Sequence, residues 1–188
     1  MKVELAELDG ADAELLAALA IRNRADIERT EPPRNESFYR AVGQRARITA
    51  ILAATKAGSL RWWTIRVDGH IAGEISVSGI ERGAFLNGHV GYLVDGDHRG
   101  RGVATMAVWL AMARAFGEMG LHRLEAGVMA GNLASQRVLD KTGFSRIGMA
   151  PSYLFVGGAW QDHYLYQLVG PDFSPPPPPP PRAGLRVP

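Results

Sequence analysis

The chain predicts a mixed α/β domain built on one central sheet of six to seven strands flanked by about four helices. Three observations carry this reading. Leu60–Val67 (LRWWTIRV) and His70–Ser78 (HIAGEISVS) are β-rich runs on either side of Asp68-Gly69, a hairpin turn signal. The second half alternates short β-rich runs with helical ones, an order that requires parallel crossovers. With 188 residues, 46% hydrophobic and 21% charged, the chain has enough apolar material for one sizeable core.

The elements follow in order. Val3, Leu5 and Leu8 alternate as a first strand, and Asp9-Gly10-Ala11-Asp12 turns into a helix carrying Leu15, Leu16, Leu19, Ala20 and Ile21 at helical spacing. Glu31-Pro32-Pro33-Arg34-Asn35 breaks it, and Glu36-Ser37-Phe38 caps an amphipathic helix from Phe38 to Lys56. This bent pair serves either as packing or as one wall of a substrate cleft. After the hairpin come a loop, Gly79 to Gly88, and a central strand, Val90–Val94. A helix from Val103 to Met119 has Arg114 as its only charge between Gly102 and Gly117, and its apolar residues on two sides predict burial on both. Gly120 ends it.

Leu124–Val128 is the next strand. Asn132 then opens a helix carrying Arg137, Val138, Leu139 and Lys141, which Gly143 ends. Phe144–Met149 and Ala159–Val169 are the last two strands, with Pro151-Ser152 and the turn Gly157-Gly158 between them. These elements make one domain over 1–173. The remainder, 174–188, contains seven consecutive prolines, Pro175 to Pro181, which favour polyproline II and act as a spacer or as a ligand for an aromatic groove.

Composition removes several function classes. There is no cysteine, so disulfides, thiolate catalysis and thiolate metal sites are excluded, and the five histidines have no metal-ligand spacing. The net charge of +2 is a tail effect: removing Arg182 and Arg186 leaves 19 basic against 19 acidic residues, so composition gives no nucleic-acid face. The N-terminus lacks a signal-peptide core, and no apolar run approaches the roughly 20 residues of a membrane span. The expectation is a cytoplasmic chain with no membrane, nucleic-acid or metal partner.

The chemistry-bearing stretch is His89–Leu110 (HVGYLVDGDHRGRGVATMAVWL). A strand ending in Arg99-Gly100-Arg101-Gly102 and opening a helix aims unpaired backbone N–H groups one way. Those donors favour an anion by roughly 0.3–1 kcal/mol, or up to about 2 when partly buried. The turn lacks the spacing of a dinucleotide fingerprint and the Gly-Lys-Ser/Thr of a P-loop. Alone it reads equally as a phosphate site or as a surface turn with two solvated arginines. Some thirty residues later come Asn132, Ser135, Gly143 and Phe144, at the spacing N-x-x-S-x-x-x-x-x-x-x-G-F. Individually these read as an N-cap, a solvated helix residue and a C-cap.

Together the two motifs resemble the GNAT acetyltransferases, whose Q/R-x-x-G-x-G/A pyrophosphate motif is matched by Arg99, Gly102 and Ala104. The run Asn132–Phe144 (NLASQRVLDKTGF) is similar to the RimJ/RimL branch, whose members acetylate N-terminal α-amines of ribosomal proteins. Tyr153–His163 and Arg82-Gly83-Ala84-Phe85 are similar to its RimJ side. The likeness covers roughly 1–173. It implies the GNAT fold, with splayed central strands, and direct acetyl transfer from acetyl-CoA to an amine, without a metal. It further implies that Tyr92, Leu93 and Val94 hold the pantetheine by backbone pairing. Arg99, Gly100, Arg101, Gly102, Val103 and Ala104 would hold the pyrophosphate, and Asn132, with Arg137 nearby, the rest of the arm. Ser135 would be the general acid at the sulfur, a role typically worth about 10²–10⁴ in rate.

The base is less determined. An α-amine is roughly 10% neutral at pH 7 and a lysine under one part in a thousand, a gap of about 3.4 kcal/mol, so a site without a strong base still handles an α-amine. Ile147 precedes Gly148 where this branch often has glutamate, and Leu154 stands where RimL places a proposed catalytic glutamate. The remaining candidates are Glu74 on its strand, and Asp162 with His163 acting through water; these last two read equally as a hydrogen-bonded pair closing the final strand. The partners expected are acetyl-CoA and an amine acceptor, a protein N-terminus or a small molecule, with the chain a monomer or homodimer. Small-molecule or antibiotic acetylation, and a non-catalytic acyl-CoA sensor, are the competing functions.

Overall fold

Strand alternation builds the core before any helix covers it. Trp63, Ile65 and Val67, Ile75 and Val77, Val90 and Val94, and Leu124, Ala126 and Val128 all turn to one face of the sheet and are buried there. Val103, Ala107, Val108 and Ala111 on one helix and Leu139 on another pack over them. Leu8, Leu16, Leu19, Ile48 and Ile51 form a second, smaller cluster on the opposite face with Trp62 and Ile71. Each buried Val, Leu or Ile among them contributes roughly 1.5–3 kcal/mol relative to exposure.

A computed structural model describes residues 1–170. The strands are β1 (Val3–Glu7), β2 (Arg61–Val67), β3 (His70–Glu81), β4 (Asn87–Val94), β5 (Arg123–Met129), β6 (Ser145–Val156) and β7 (Ala159–Val169). The helices are α1 (Ala13–Arg22), α2 (Arg24–Thr30), α3 (Ala41–Lys56), α4 (Val103–Ala113) and α5 (Leu133–Lys141). All seven strands form one sheet in the order β1-β2-β3-β4-β5-β7-β6. No helix among the described residues is long and apolar enough to cross a membrane. The proline run lies outside the described residues.

The decisive feature is the β4–β5 pair, the parallel contact at the centre. It has only three paired positions, Asn87 with Arg123, Gly88 with Leu124 and His89 with Glu125. Beyond them β4 keeps its β3 partner as far as Val94, which pairs Gly73, and β5 keeps β7 as far as Met129, which pairs His163. The sheet therefore splits into a V. On the face of α1 and α3, α2 and the β6–β7 turn close the wide end, where a Cβ on Gly157 would lie 3.6 Å from the Arg29 carbonyl oxygen.

Several expectations need correction. The first helix breaks at Asn23 as well as at the prolines, and there the Asn23 side-chain amide donates both to the Leu19 carbonyl at 2.9 Å and to Asp95 Oδ1 at 3.0 Å. Asn35 caps the short 3₁₀ turn Glu36–Tyr39 that precedes α3, in place of a cap within Glu36-Ser37-Phe38. The helix after the loop stops at Ala113 and passes into a π-turn over Arg114–Glu118. It is buried on one side only: Met106 and Trp109 are 47% and 50% exposed. The final hairpin is longer than expected. β6 runs through Pro151, which an edge strand tolerates because its ring nitrogen needs no partner, with a bulge between Ala150 and Leu154. The crossover through α5 leads to β6, and β7 is inserted between it and β5.

Candidate functional site

A cleft of about 420 Å³ occupies the open end of the V. One wall is the unpaired edge of β4 (Tyr92, Leu93, Val94). Another is the loop and first turn of α4 (Arg99, Gly100, Gly102, Val103, Ala104, Thr105). The third is the first turns of α5 (Asn132, Ala134, Ser135, Arg137, Val138) with Lys141 beyond. Sequence positions some forty residues apart thus meet because β4, α4, β5 and α5 form one crossover around the split.

The α4 loop is shaped for an anion. Gly100 and Gly102 have φ of +69° and +82°, which side chains other than hydrogen rarely adopt. Gly102 is the N-cap and has no side chain to offer the helix, so the first-turn N–H groups remain for a ligand. Arg137 and Lys141, one helical turn apart, add positive charge and form no ion pair among the described residues.

Arg99 plays a different part from a free phosphate clamp. Its Nε donates to the Val94 carbonyl at 3.0 Å, and its terminal nitrogens bond Asp26 and, at 3.4 Å, Asn23. Asp26 is held below the usual carboxylate range by hydrogen bonds from Arg29 first and Arg99 second. Arg101 lies outside the cleft, near the β2–β3 turn, where the Asp68 carboxyl is lowered chiefly by the Lys2 backbone N–H and to a smaller degree by the Arg101 charge.

Asn132 is the N-cap of α5: its Oδ1 accepts from the Ser135 N–H at 3.1 Å. That cap orients Ser135, whose Oγ lies 2.8 Å from the Tyr92 hydroxyl. Burial, partly offset by the Ser135 hydrogen bond, pushes the Tyr92 phenol up to about 12. It is therefore neutral at any working pH, and either hydroxyl of the pair can donate to the other.

Neither expected carboxylate reaches the cleft. Glu74 is buried on β3 and engaged by three donors: Arg47 at 2.9 and 3.2 Å and Trp62 Nε1 at 3.0 Å. Asp162 accepts from the Ser152 N–H at 2.8 Å and stabilises the β6 bulge, where Ser152 has φ +47°. His163 is buried, with Nδ1 3.0 Å from the Gln161 carbonyl oxygen, so the expected Asp162–His163 pair is replaced by two separate contacts. Among the lining residues that sequence reading missed, Asp26, Arg29, Thr30, His98 and Lys141 are the polar ones beyond the first turns of α4 and α5. Only Lys141 had a local signal, its i+4 spacing from Arg137.

Residues 2–145 match the family model of the acetyltransferase (GNAT) domain. The chain belongs to this GNAT acetyltransferase family. Within it, the chain is 37% identical over 167 residues to the probable N-acetyltransferase YjcK of Bacillus subtilis, covering 88% of this chain and 92% of that one. Similar solved GNAT structures include the ribosomal-protein-S5-alanine acetyltransferase of Vibrio fischeri, with TM-score 0.88, 30% identity and coverage of 93% and 97%. Another is Mycobacterium smegmatis RimJ in complex with CoA-disulfide, with TM-score 0.86, 27% identity and coverage of 89% and 81%. The chain is thus an N-acetyltransferase of RimJ/RimL type. Among the described residues no cluster of three or more His, Cys, Asp or Glu could hold a metal ion.

Proposed function

We propose that the protein acetylates the N-terminal α-amine of a protein, a ribosomal protein in the first instance, with acetyl-CoA as donor. One observation carries the reading. A single cleft runs from the uncapped start of α4, along the unpaired edge of β4, to the Tyr92–Ser135 pair. That sequence of features fits a diphosphate, an amide-bearing arm and a thioester in turn. The Vibrio fischeri and Mycobacterium smegmatis neighbours, one a ribosomal-protein-S5-alanine acetyltransferase and the other bound to CoA, support it.

The donor, when bound, supplies an acetyl group activated as a thioester. The chain's residues do the rest. Backbone N–H groups from Gly102 to Thr105 hold the diphosphate, with Arg137 and Lys141 adding charge. Backbone groups of Tyr92–Val94 on the open edge, apart from the Val94 carbonyl that Arg99 holds, pair with the arm. When the neutral Tyr92 hydroxyl donates to Ser135 Oγ, the serine's own proton is left for the sulfur. Asp26, the sole carboxylate among the cleft residues, is engaged by Arg29 and Arg99. A site without a free base favours an acceptor already partly neutral at pH 7, which describes an α-amine far better than a lysine.

The test is acetyl-CoA-dependent release of free CoA across N-terminal peptides, internal-lysine peptides and small amines. Turnover of peptides with a free α-amine, blocked by N-terminal formylation, is the expected result. Turnover confined to small amines, or tight acetyl-CoA binding with no acceptor turned over, would overturn the proposal.

A further inference from the structure

The outer side of α4 carries an apolar line that nothing among the described residues covers. Met106, Trp109, Ala113 and Gly117 recur at three- and four-residue spacing, so they share one side of the helix and of the π-turn that continues it, and all four are exposed. A Cβ on Gly117 would meet nothing within 4 Å. The line itself holds no charge, and Arg114 beside it is engaged by the Leu5 carbonyl at 2.9 Å and by Glu7 at 3.3 Å. Trp109, half in water, is the anomaly. The indole N–H groups of Trp62 and Trp63 donate to Glu74 and Glu7 at 3.0 and 2.8 Å. That of Trp109 donates to no described residue.

The place where the described chain ends shows what is at hand to cover this line. Gly170, just after β7, donates its N–H to the His122 carbonyl at 2.8 Å. It packs against Phe116, the neighbour of Gly117: a Cβ on Gly170 would stand 2.8 Å from Phe116 Cδ1. The chain therefore leaves at one end of the line, and the seven prolines begin five residues later. The lengths agree, since the helix rises about 15 Å from Phe116 back to Met106 and seven prolines in polyproline II extend about 22 Å. The chemistry agrees as well. Polyproline II docks on exposed aromatic rings, and its carbonyls, with no N–H of their own to pair, accept an indole N–H. Trp160, the other exposed tryptophan, stands at the far end of β7, about 33 Å from Gly170 and out of reach of all but the last proline.

We infer that the outer line of α4 is the seat of this chain's own C-terminal segment Pro175–Pro181, laid from Phe116 toward Met106 with Trp109 as its anchor. Tethering lets a weak contact suffice. A short linker holds the segment at a local concentration of about 1 mM, so a seat with a dissociation constant of about 0.1 mM is about nine-tenths filled. The segment then shields an apolar line that would otherwise invite association between copies.

The test uses the full chain labelled with 5-fluorotryptophan, whose four fluorine signals are assigned with Trp109→Phe and Trp160→Phe. It is set beside a chain of equal length carrying Pro176→Gly, Pro178→Gly and Pro180→Gly, which leaves every residue of α4 in place and breaks polyproline II. Relaxation by a soluble nitroxide should rise for Trp109 by up to about tenfold in the glycine variant, the factor set by a seat nine-tenths filled, while Trp160 relaxes equally in both. The protection of Trp109 in the unaltered chain should not change on dilution, because the contact lies within one chain. Equal relaxation of Trp109 in the two chains overturns the seat. Protection that fades on dilution overturns it too and assigns the line to a second copy. A change confined to Trp160 overturns it by placing the prolines on the β6–β7 turn.

Discussion

Replacing Tyr92 by Phe removes one hydroxyl and leaves the ring. The hydroxyl lies 2.8 Å from Ser135 Oγ, and a neutral hydrogen bond of this kind is worth about 0.5–1.5 kcal/mol net. If its only job is to aim Ser135, kcat should fall about 2- to 13-fold. Ser135→Ala removes the donor to a developing thiolate, a charge-assisted bond worth about 1.5–3 kcal/mol, so kcat should fall about 10- to 160-fold. The assay is steady-state CoA release with acetyl-CoA affinity measured separately by calorimetry. Because Tyr92 acts through Ser135, the double variant should be no slower than Ser135→Ala alone. Losses that multiply independently would refute the coupling. An unchanged Ser135→Ala would remove the serine from the chemistry altogether. Acetyl-CoA affinity should change little in each variant, since the two hydroxyls bond each other and touch neither the α4 N-terminus nor Arg137 and Lys141.

Other outcomes follow from the same geometry. Arg137→Ala and Lys141→Ala should each weaken acetyl-CoA binding about fivefold to tenfold, less at high salt, and leave kcat unchanged; a calorimetric titration with no change would exclude them as phosphate partners. Glu74→Ala should destabilise by about 3–5 kcal/mol because it strands the Arg47 guanidinium, while Glu74→Gln should fold and keep the wild-type pH–rate profile; a lost acidic limb in the Gln variant would restore Glu74 as the base. Asp95 responds to pH: burial raises its carboxyl, but hydrogen bonds from Arg22 and Asn23 outweigh this and hold it below the ordinary value. A lowered folded pKa means stabilisation that is complete above the unfolded value of about 3.9 and lost as pH falls through the folded one. Asp95→Asn should therefore be less stable than wild type at pH 7, with the gap closing below about pH 4 in urea titrations; a gap constant with pH would refute the assignment.

The parts of the fold that were legible in the sequence are those fixed within a few residues. Asp68-Gly69 has φ of +49° and +86° and makes the predicted hairpin, and Gly143 at +87° ends α5 as expected. Asn132 caps α5 through Ser135, so a local capping signal also located the residue proposed as the acid. The illegible parts depend on contacts from far along the chain. Nothing near Arg99 says that Asp26 occupies it, nor anything near Glu74 that Arg47 and Trp62 do. The apolar content of α4 predicts burial on two sides, but periodicity reports which residues could be covered and not whether a second layer exists. Met106 and Trp109 lie on the side where, among the described residues, none does. Pro151 reads as a strand end because a central strand cannot accept it, and only edge position, a property of topology, reverses that.

The split sheet raises a stability question that Arg22, Asn23 and Arg99 answer. A strand without a neighbour on one edge should fray from its free end, and β4 loses β5 after His89. Its end is held instead from α1 and the α4 loop. Asp95 N donates to the Ala72 carbonyl at 2.8 Å, keeping the chain on β3 one residue past the strand. The Asp95 carboxylate is fixed by Arg22 at 2.7 Å and Asn23 at 3.0 Å, and the Val94 carbonyl by Arg99. Asn23 Oδ1 also accepts from Gly96 N at 2.9 Å. The break between α1 and α2 is what frees the Asn23 side chain to do this, so the irregular helix and the open sheet are one arrangement. It leaves the edge from Tyr92 to Val94 rigid and unpaired together, and a rigid unpaired edge binds a ligand's amides without first losing disorder of its own.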